Sequence, residues 1–168
     1  MKVLINKCYG GFGLSNFFYG KLYEAITGNP VYFYRQTIDE YYRLRSDKGL
    51  DDENLVILVK DYGEVVDIDT PVNKLDIDNF DYLPEDFEIR TDERAINIVE
   101  KYENCCNGHC ANISIEEYDD ENFEYEIDEY DGFESLILKP IINLDKILSI
   151  SNKEDLRKYF EELNIKVK

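Results

Sequence analysis

The spacing of apolar and polar residues predicts three elements at the N-terminal end of the chain. The run VLI within residues 1–6 indicates a short buried strand. Residues 8–15 contain three glycines, which favours a loop. Ser15 is a typical N-cap, and the apolar stripe after it predicts a helix that continues to about Thr27. Gly28 stands where a C-terminal glycine belongs. The order is therefore strand, glycine-rich loop and helix.

Two further strands are indicated by β-branched and aromatic residues. Residues 31–35 (VYFYR) and residues 55–60 (LVILVK) have this composition. The polar, tyrosine-rich stretch between them, residues 36–52, predicts either a hairpin or a short helix. Residues 61–86 have a weak pattern with two prolines, which indicates a loop with short extended pieces.

The C-terminal half predicts two helices and three strands. One helix begins at Asp92, and the other follows the capping-box pair Ser151 and Glu154. Alternating apolar and polar residues predict half-buried strands over residues 111–118 and from residue 123 onward. The dipeptide Asp131-Gly132 marks a tight turn into a third strand, which ends at Pro140.

These elements predict a single α+β domain over residues 1–168. We expect a mixed β-sheet of about five or six strands, with two or three helices packed mainly on one side. The length of 168 residues is close to the commonest size of one domain. A hydrophobic content of 43% supplies a core, so disorder of the whole chain is excluded.

The net charge of −18 narrows the classes of partner. It repels nucleic-acid phosphate and anionic membrane surfaces, so we expect no direct nucleic-acid or membrane binding. Solubility alone, a basic protein partner and mimicry of nucleic acid remain open. Neither a signal peptide nor an apolar run of membrane-spanning length is present, which predicts a soluble cytoplasmic protein. In a reducing cytosol the four cysteines are expected to be thiols or metal ligands and not disulfides.

Five blocks of sequence carry a resemblance to a known family: residues 5–15 (INKCYGGFGLS), 31–37 (VYFYRQT), 59–63 (VKDYG), 89–115 and 125–135 (YEIDEYDGFES). In this order they resemble a family of small proteins that is frequent in bacteriophages and bacteria. The resemblance spans residues 1–137 and implies a phage-type or mobile-element accessory protein that is located in the host cytoplasm. It implies no particular biochemical activity. Residues 138–168 are a divergent C-terminal extension, which replaces an ending with His, Arg and Trp in the relatives.

The glycine-rich loop is the first candidate site. Its backbone amides, together with the N-terminus of the helix that follows, can form a site for an anion. The spacing matches neither a Walker loop nor a dinucleotide fingerprint, and a tight strand-to-helix turn is the alternative. Aromatic residues in the loop can stack on a base, which favours a nucleotide-like ligand. The candidate residues are Lys7, Cys8, Tyr9, Gly10, Gly11, Phe12, Gly13 and Ser15.

A second candidate site lies around Arg90, Asp92 and Arg94, where arginines at a helix start can bind phosphate or carboxylate with two hydrogen bonds. The alternative is a capping aspartate with surface ion pairs. We expect neighbouring residues to complete the ligand site. They are Tyr34, Arg35, Tyr130 and Asp131.

The cysteines and the single histidine are weighed as metal or catalytic residues. Cys105, Cys106, His109 and Cys110 are possible zinc ligands, but they crowd one short loop and lack a distant second pair. Buried thiols or an exposed loop are the alternatives, and we expect no metal and no cofactor. Cys8 precedes a helix that can stabilise a thiolate, although no histidine is near it in sequence.

The acidic tract of residues 116–134 is the last candidate. Its carboxylates can act as acids and bases or bind divalent cations, although they match no EF-hand spacing. Strand alternation places Glu124, Glu126 and Asp128 on one face, either as a solvated surface or as a surface for a basic partner.

Three functions follow from these candidates. The leading hypothesis is non-catalytic binding of a small anionic, nucleotide-like ligand, in which the protein sequesters a host defence signal and forms a homo-oligomer. The alternatives are an acidic protein-interaction inhibitor or nucleic-acid mimic, and a small enzyme.

Overall fold

The computed structural model describes residues 1–119 and 121–163 and shows a small α+β domain, which confirms the predicted fold class. The strands are β1 (Lys2–Asn6), β2 (Tyr32–Gln36), β3 (Glu40–Arg43), β4 (Leu55–Leu58), β5 (Val65–Asp67), β6 (Ile113–Glu117), β7 (Phe123–Tyr130) and β8 (Phe133–Pro140). The α-helices are α1 (Asn16–Thr27), α2 (Glu93–Tyr102), α3 (Leu144–Ser149) and α4 (Lys153–Glu162), and a 3-10 turn, Glu103–Cys106, follows α2.

In the part of the chain that the structure describes, the strands form three small sheets instead of the expected mixed sheet. One sheet pairs β1 with β6, a second has the order β4-β2-β3-β5, and the third is the β7–β8 hairpin. Each of these pairings is antiparallel. A parallel pair needs a crossover of about a dozen residues or more, whereas β2–β3 and β7–β8 are joined by tight connections. Residues 36–52 thus form the hairpin alternative, with β3 as its second strand.

Two faces of helix α1 are buried, one against α2 and the other against the four-stranded sheet. Phe18 and Leu22 pack with Ala95 of α2 in one apolar cluster. Phe17 packs with Phe33 of the four-stranded sheet in another. The ends of α1 agree with the prediction, since Ser15 accepts from the amide of Phe18 and the left-handed Gly28 closes the helix.

The β7–β8 hairpin covers the β1–β6 pair. Val3 and Ile5 of β1, together with Tyr118, form a buried cluster, and the hairpin packs against it. The side chains that the hairpin contributes are Phe123, Tyr125, Ile127 and Leu136. Strand alternation therefore divides the hairpin into an apolar inner face on β1 and an outer face that includes the acids of β7.

The C-terminal extension differs from the prediction in two details. Helix α4 is capped by Asn152 instead of Ser151, because the Asn152 side chain accepts from two amides of the first turn. Helix α3 was not predicted: it has six residues, none of them buried, too short a stretch for a clear periodic signal. Within the described residues, no helix combines the length and the apolar character needed to cross a membrane.

Candidate functional site

The glycine-rich loop packs against two other loops by close backbone contact. A Cβ on Gly10 would overlap the carbonyl oxygen of Cys110, and one on Gly132 would overlap the amide nitrogen of Gly11. These glycines therefore allow three loops to meet, which is a wider role than the tight turn considered from the sequence. We call this meeting of residues 7–15, 105–112 and 130–134 the three-loop junction.

The entrance of α1 is fixed by the second loop of the junction. The Ser15 hydroxyl donates to the carbonyl of Cys105 at 2.6 Å, and the Ser15 amide donates to the carbonyl of Cys106 at 3.0 Å. The amide of Gly108 donates to the carbonyl of Gly13 at 3.0 Å. The N-terminal end of α1 is thereby hydrogen-bonded to residues 105–108. This favours an architectural role for the glycine-rich loop.

Arg90, which lies just before α2, forms a bidentate ion pair with Glu134 of the three-loop junction. Nη1 of Arg90 lies 2.8 Å from Oε2 of Glu134, and Nη2 lies 2.8 Å from Oε1. Nη1 also donates to the carbonyl of Leu4, and the guanidinium carbon lies 3.7 Å from the ring centroid of Phe12. The predicted anion-binding arginine is thus occupied by an internal carboxylate and stacked on the glycine-rich loop.

Asn6 extends this pair into a buried polar network. The backbone amide of Asn6 donates to the carboxylate of Glu134, and the side-chain Nδ2 donates to the carbonyls of Cys8 and Gly132. Its Oδ1 accepts from the amide of Asn112 at 2.8 Å. Burial tends to raise the pKa of Glu134, but the bonds from Arg90 and from the Asn6 amide outweigh it, and the pKa lies below its ordinary value. Glu134 is accordingly held as a carboxylate.

Asn6 was not among the predicted site residues, and Glu134 was included only as the last residue of the acidic tract. The one sequence signal for Glu134 is its position in β8. It is two residues before Leu136 and therefore falls on the inner, apolar face of the strand. An acid at such a position needs a cation or several donors, and Arg90 is that partner.

Asp92 and Arg94 are paired with each other. The carboxylate of Asp92 accepts from Nε and Nη2 of Arg94 at 3.0 Å and 2.6 Å, and also from the amides of Arg94 and Ala95. The bond from the Arg94 side chain is the main reason that the pKa of Asp92 is lowered. This geometry agrees with the alternative interpretation of the sequence, in which Asp92 caps α2 and forms an ion pair.

The glycine-rich loop meets the tip of the hairpin, where Gly132 lies against Gly11. Four predicted site residues lie in this region: Lys7, Tyr9, Tyr130 and Asp131. Nζ of Lys7 is 3.1 Å from Glu116. Tyr9 is 68% exposed and Tyr130 is 79% exposed. Asp131 and Gly132 have φ values of 50° and 84°, as in a type I′ turn, which confirms the predicted turn. Exposed aromatic rings therefore do flank the loop.

Tyr34 and Arg35 belong to the four-stranded sheet, and no described contact joins them to the three-loop junction. The Tyr34 hydroxyl donates to the carbonyl of Gly63 at 2.8 Å and accepts from the amide of Tyr62. Nε of Arg35 lies 2.6 Å from Asp52. Of the predicted site residues, Tyr34 and Arg35 therefore lie in a part of the fold that is distinct from the junction.

The cysteine-rich loop has no metal-binding geometry in the described part of the chain, where no three His, Cys, Asp or Glu side chains are grouped to hold an ion. Cys106 is fully buried, and burial raises the pKa of its thiol to about 12. Burial also raises the pKa of Cys105. His109 and Cys110 are exposed. The first two thiols are therefore poor nucleophiles at neutral pH.

A cleft of about 480 Å³ opens between the N-terminus of α1, residues 50–55 and residues 107–110. Three carboxylates line it, those of Asp51, Asp52 and Glu53. They oppose an anionic ligand, so this cleft does not provide the expected phosphate site.

The outer face of the β7–β8 hairpin is acidic and exposed. Glu124, Glu126 and Asp128 alternate with the inner residues of β7. Lys139 of β8 forms an ion pair with Glu126. Two adjacent side chains on one face of a strand are about 7 Å apart, so the carboxylates form a regular row.

Comparison of the chain with protein-family models, with curated proteins and with solved structures gave no match.

Proposed function

We propose that the protein binds a basic partner protein through the outer face of the β7–β8 hairpin. The observation that carries this proposal is the exposed row of Glu124, Glu126 and Asp128 along β7. The hairpin is fixed on its inner side by the apolar cluster on β1, so the row is held in place before a partner arrives. Such preorganised charge speeds encounter with a surface of opposite sign and selects for it.

The paired cations favour this function over binding of a small anion at the glycine-rich loop. Arg90 is bound to Glu134, and Lys7 to Glu116. An anion at the loop would have to compete with these carboxylates at close range. None of the ion pairs among the described residues includes Glu124 or Asp128. An incoming lysine or arginine therefore meets unpaired acids on the outer face of β7.

Side chains next to the acidic row have the character of an interface. Tyr130 and Ile137 lie on the same face, because Glu126 is directly opposite Ile137 and Tyr130 is opposite Phe133. Tyr130 is largely exposed, and Ile137 is 43% exposed. Tyrosine is enriched at protein interfaces, where its ring is buried and its hydroxyl keeps a partner. In a phage-type accessory protein, which the sequence resemblance implies, the partner would be a basic host protein.

The test is capture from host-cell extract on immobilised protein. The hairpin variant carries Glu124→Gln, Glu126→Gln and Asp128→Asn. The control variant carries the same change of charge at exposed acids elsewhere, as Asp47→Asn, Asp81→Asn and Glu85→Gln. We expect a basic protein that is captured by the original chain and by the control but not by the hairpin variant, and whose capture weakens as salt rises. Equal capture by both variants would refute the proposal.

A further inference from the structure

A groove between α1 and α2 differs in charge from the rest of this acidic protein. Its volume is about 530 Å³. Arg94, Asn97 and Lys101 line it from α2, at positions i, i+3 and i+7 of one helical face. Lys21 and Ala25 line it from α1, at positions i and i+4. The two helix faces together form a shallow groove. The Cα atoms of Arg94 and Lys101 are about 10 Å apart along the axis of α2, about two helical turns.

The lining of the groove has more cations than carboxylates. Among the described residues, three cations and one carboxylate, that of Glu24, line it, in a chain whose net charge is −18. By contrast, the cleft at the N-terminus of α1 is lined by three carboxylates. A local excess of positive charge in a concave surface raises the concentration of anions there, even when the whole molecule repels them.

Lys101 is the cation most available to a ligand. Its side chain is exposed, and no ion pair of the described residues includes it. Its Nζ lies 4.9 Å from the ring centroid of Tyr102. Arg94 uses Nε and Nη2 for Asp92, so Nη1 is not among the donors of that pair. Lys21 is bound to Glu24 at 2.8 Å.

We propose that this groove binds a small organic anion with an apolar body. Lys101 and Arg94 supply the charge for its phosphate or carboxylate group. The exposed side chain of Asn97 lies between them and offers an amide donor. Ala25, Ile98 and Tyr102 provide apolar surface for the rest of the ligand.

This site is independent of the proposed partner interface, because the two share no residue. It also differs from the glycine-rich loop, where the arginine is consumed by Glu134. Binding of an anion at the groove and capture of a basic protein are therefore two separate proposals, and failure of one does not contradict the other.

The test uses AMP as the probe, with inorganic phosphate as the probe of the charged group alone. Amide NMR signals of the full chain are followed during titration. We expect the shifts to be confined to the facing residues of α1 and α2, such as Ala25, Asn97 and Lys101, with AMP binding more tightly than phosphate. Lys101→Gln should weaken AMP binding about tenfold, whereas Lys48→Gln, an exposed lysine outside the groove, should leave it unchanged.

Three results would overturn the proposal. One is the absence of shifts at millimolar AMP, and another is a set of shifts centred on residues 8–15. The third is equal affinity in Lys101→Gln and Lys48→Gln. Because both lysines are exposed, neither variant is expected to lose its fold, and a spectrum of the free protein verifies this.

Discussion

The guanidinium of Arg90 is held by both carboxylate oxygens of Glu134, 44 residues further along the chain. The pair is largely removed from water, with the Glu134 side chain 4% exposed and that of Arg90 21% exposed. It draws together the residues before α2, the glycine-rich loop through Phe12, and the strand after the Asp131-Gly132 turn. The most distinctive blocks of the sequence thus meet at one structural junction.

Removal of Arg90 should destabilise the protein strongly. Arg90→Ala leaves Glu134 as a buried, uncompensated charge, and we expect a loss of about 3 kcal/mol in the free energy of unfolding. Arg94→Ala is the matched control, because Arg94 is also paired with a carboxylate but is 41% exposed. Its cost should stay below about 1 kcal/mol. Urea unfolding measures both, and similar losses in the two variants would contradict the assigned role of the junction.

The Arg90–Glu134 pair should make stability depend on acid pH. The pKa of Glu134 is lower in the folded protein than its ordinary value of 4.5. Its contribution is therefore complete above about pH 5 and is lost as the pH falls through 4.5 to the lowered folded pKa. Glu134→Gln should be less stable than the original chain at pH 7, and the difference should shrink below pH 4. A difference that stays constant from pH 7 to pH 3 would exclude this linkage.

The glycines of the loop should differ in their tolerance of a methyl group. Gly10→Ala places a Cβ into the carbonyl oxygen of Cys110, a backbone atom that cannot move without shifting its loop. We expect a loss of about 2 kcal/mol, in the range of overpacked sites. Gly13→Ala meets its nearest atoms at 3.9 and 4.0 Å, so its effect should be within about 0.5 kcal/mol. Thermal unfolding distinguishes the two, and an unaffected Gly10→Ala protein would rule out the close backbone contact.

The cap of α4 should be found at Asn152 and not at Ser151. Asn152 accepts from the amides of Glu154 and Asp155 at 3.0 and 2.8 Å. Asn152→Ala should cost about 1 kcal/mol locally, and amide hydrogen exchange in the first turn of α4 should become about fivefold faster. Ser151→Ala should leave the exchange rates unchanged. The opposite result would support the capping box that the sequence indicates.

Local signals account for the parts of the fold that the sequence predicted. The N-cap at Ser15, the left-handed Gly28 and the Asp131-Gly132 turn each depend on residues within about four positions. The N-cap at Asp92 has the same origin. Such signals are encoded where they act, so one sequence is enough to recognise them.

Long-range pairing accounts for what the sequence did not predict. Neither the partner of β1 nor the carboxylate that binds Arg90 has a local signature, because each depends on how separate segments pack. Arg90 was assigned to a ligand on its chemistry alone, and a guanidinium fits an internal carboxylate as well as an external one. The loop glycines likewise suit a ligand or a neighbouring backbone, and the sequence does not distinguish between them.

The separation between β1 and its contacts has a consequence for how the chain folds during synthesis. Strand β1 pairs with β6, and the Asn6 amide bonds to Glu134 across 128 residues. Strand β1 cannot pair until β6 has been synthesised, and Arg90 cannot meet its carboxylate until Glu134 of β8 has been synthesised. Contacts of such high sequence separation slow folding and leave apolar strands exposed to aggregation in the meantime. The domain closes late, only when the hairpin that carries the proposed partner surface has been made.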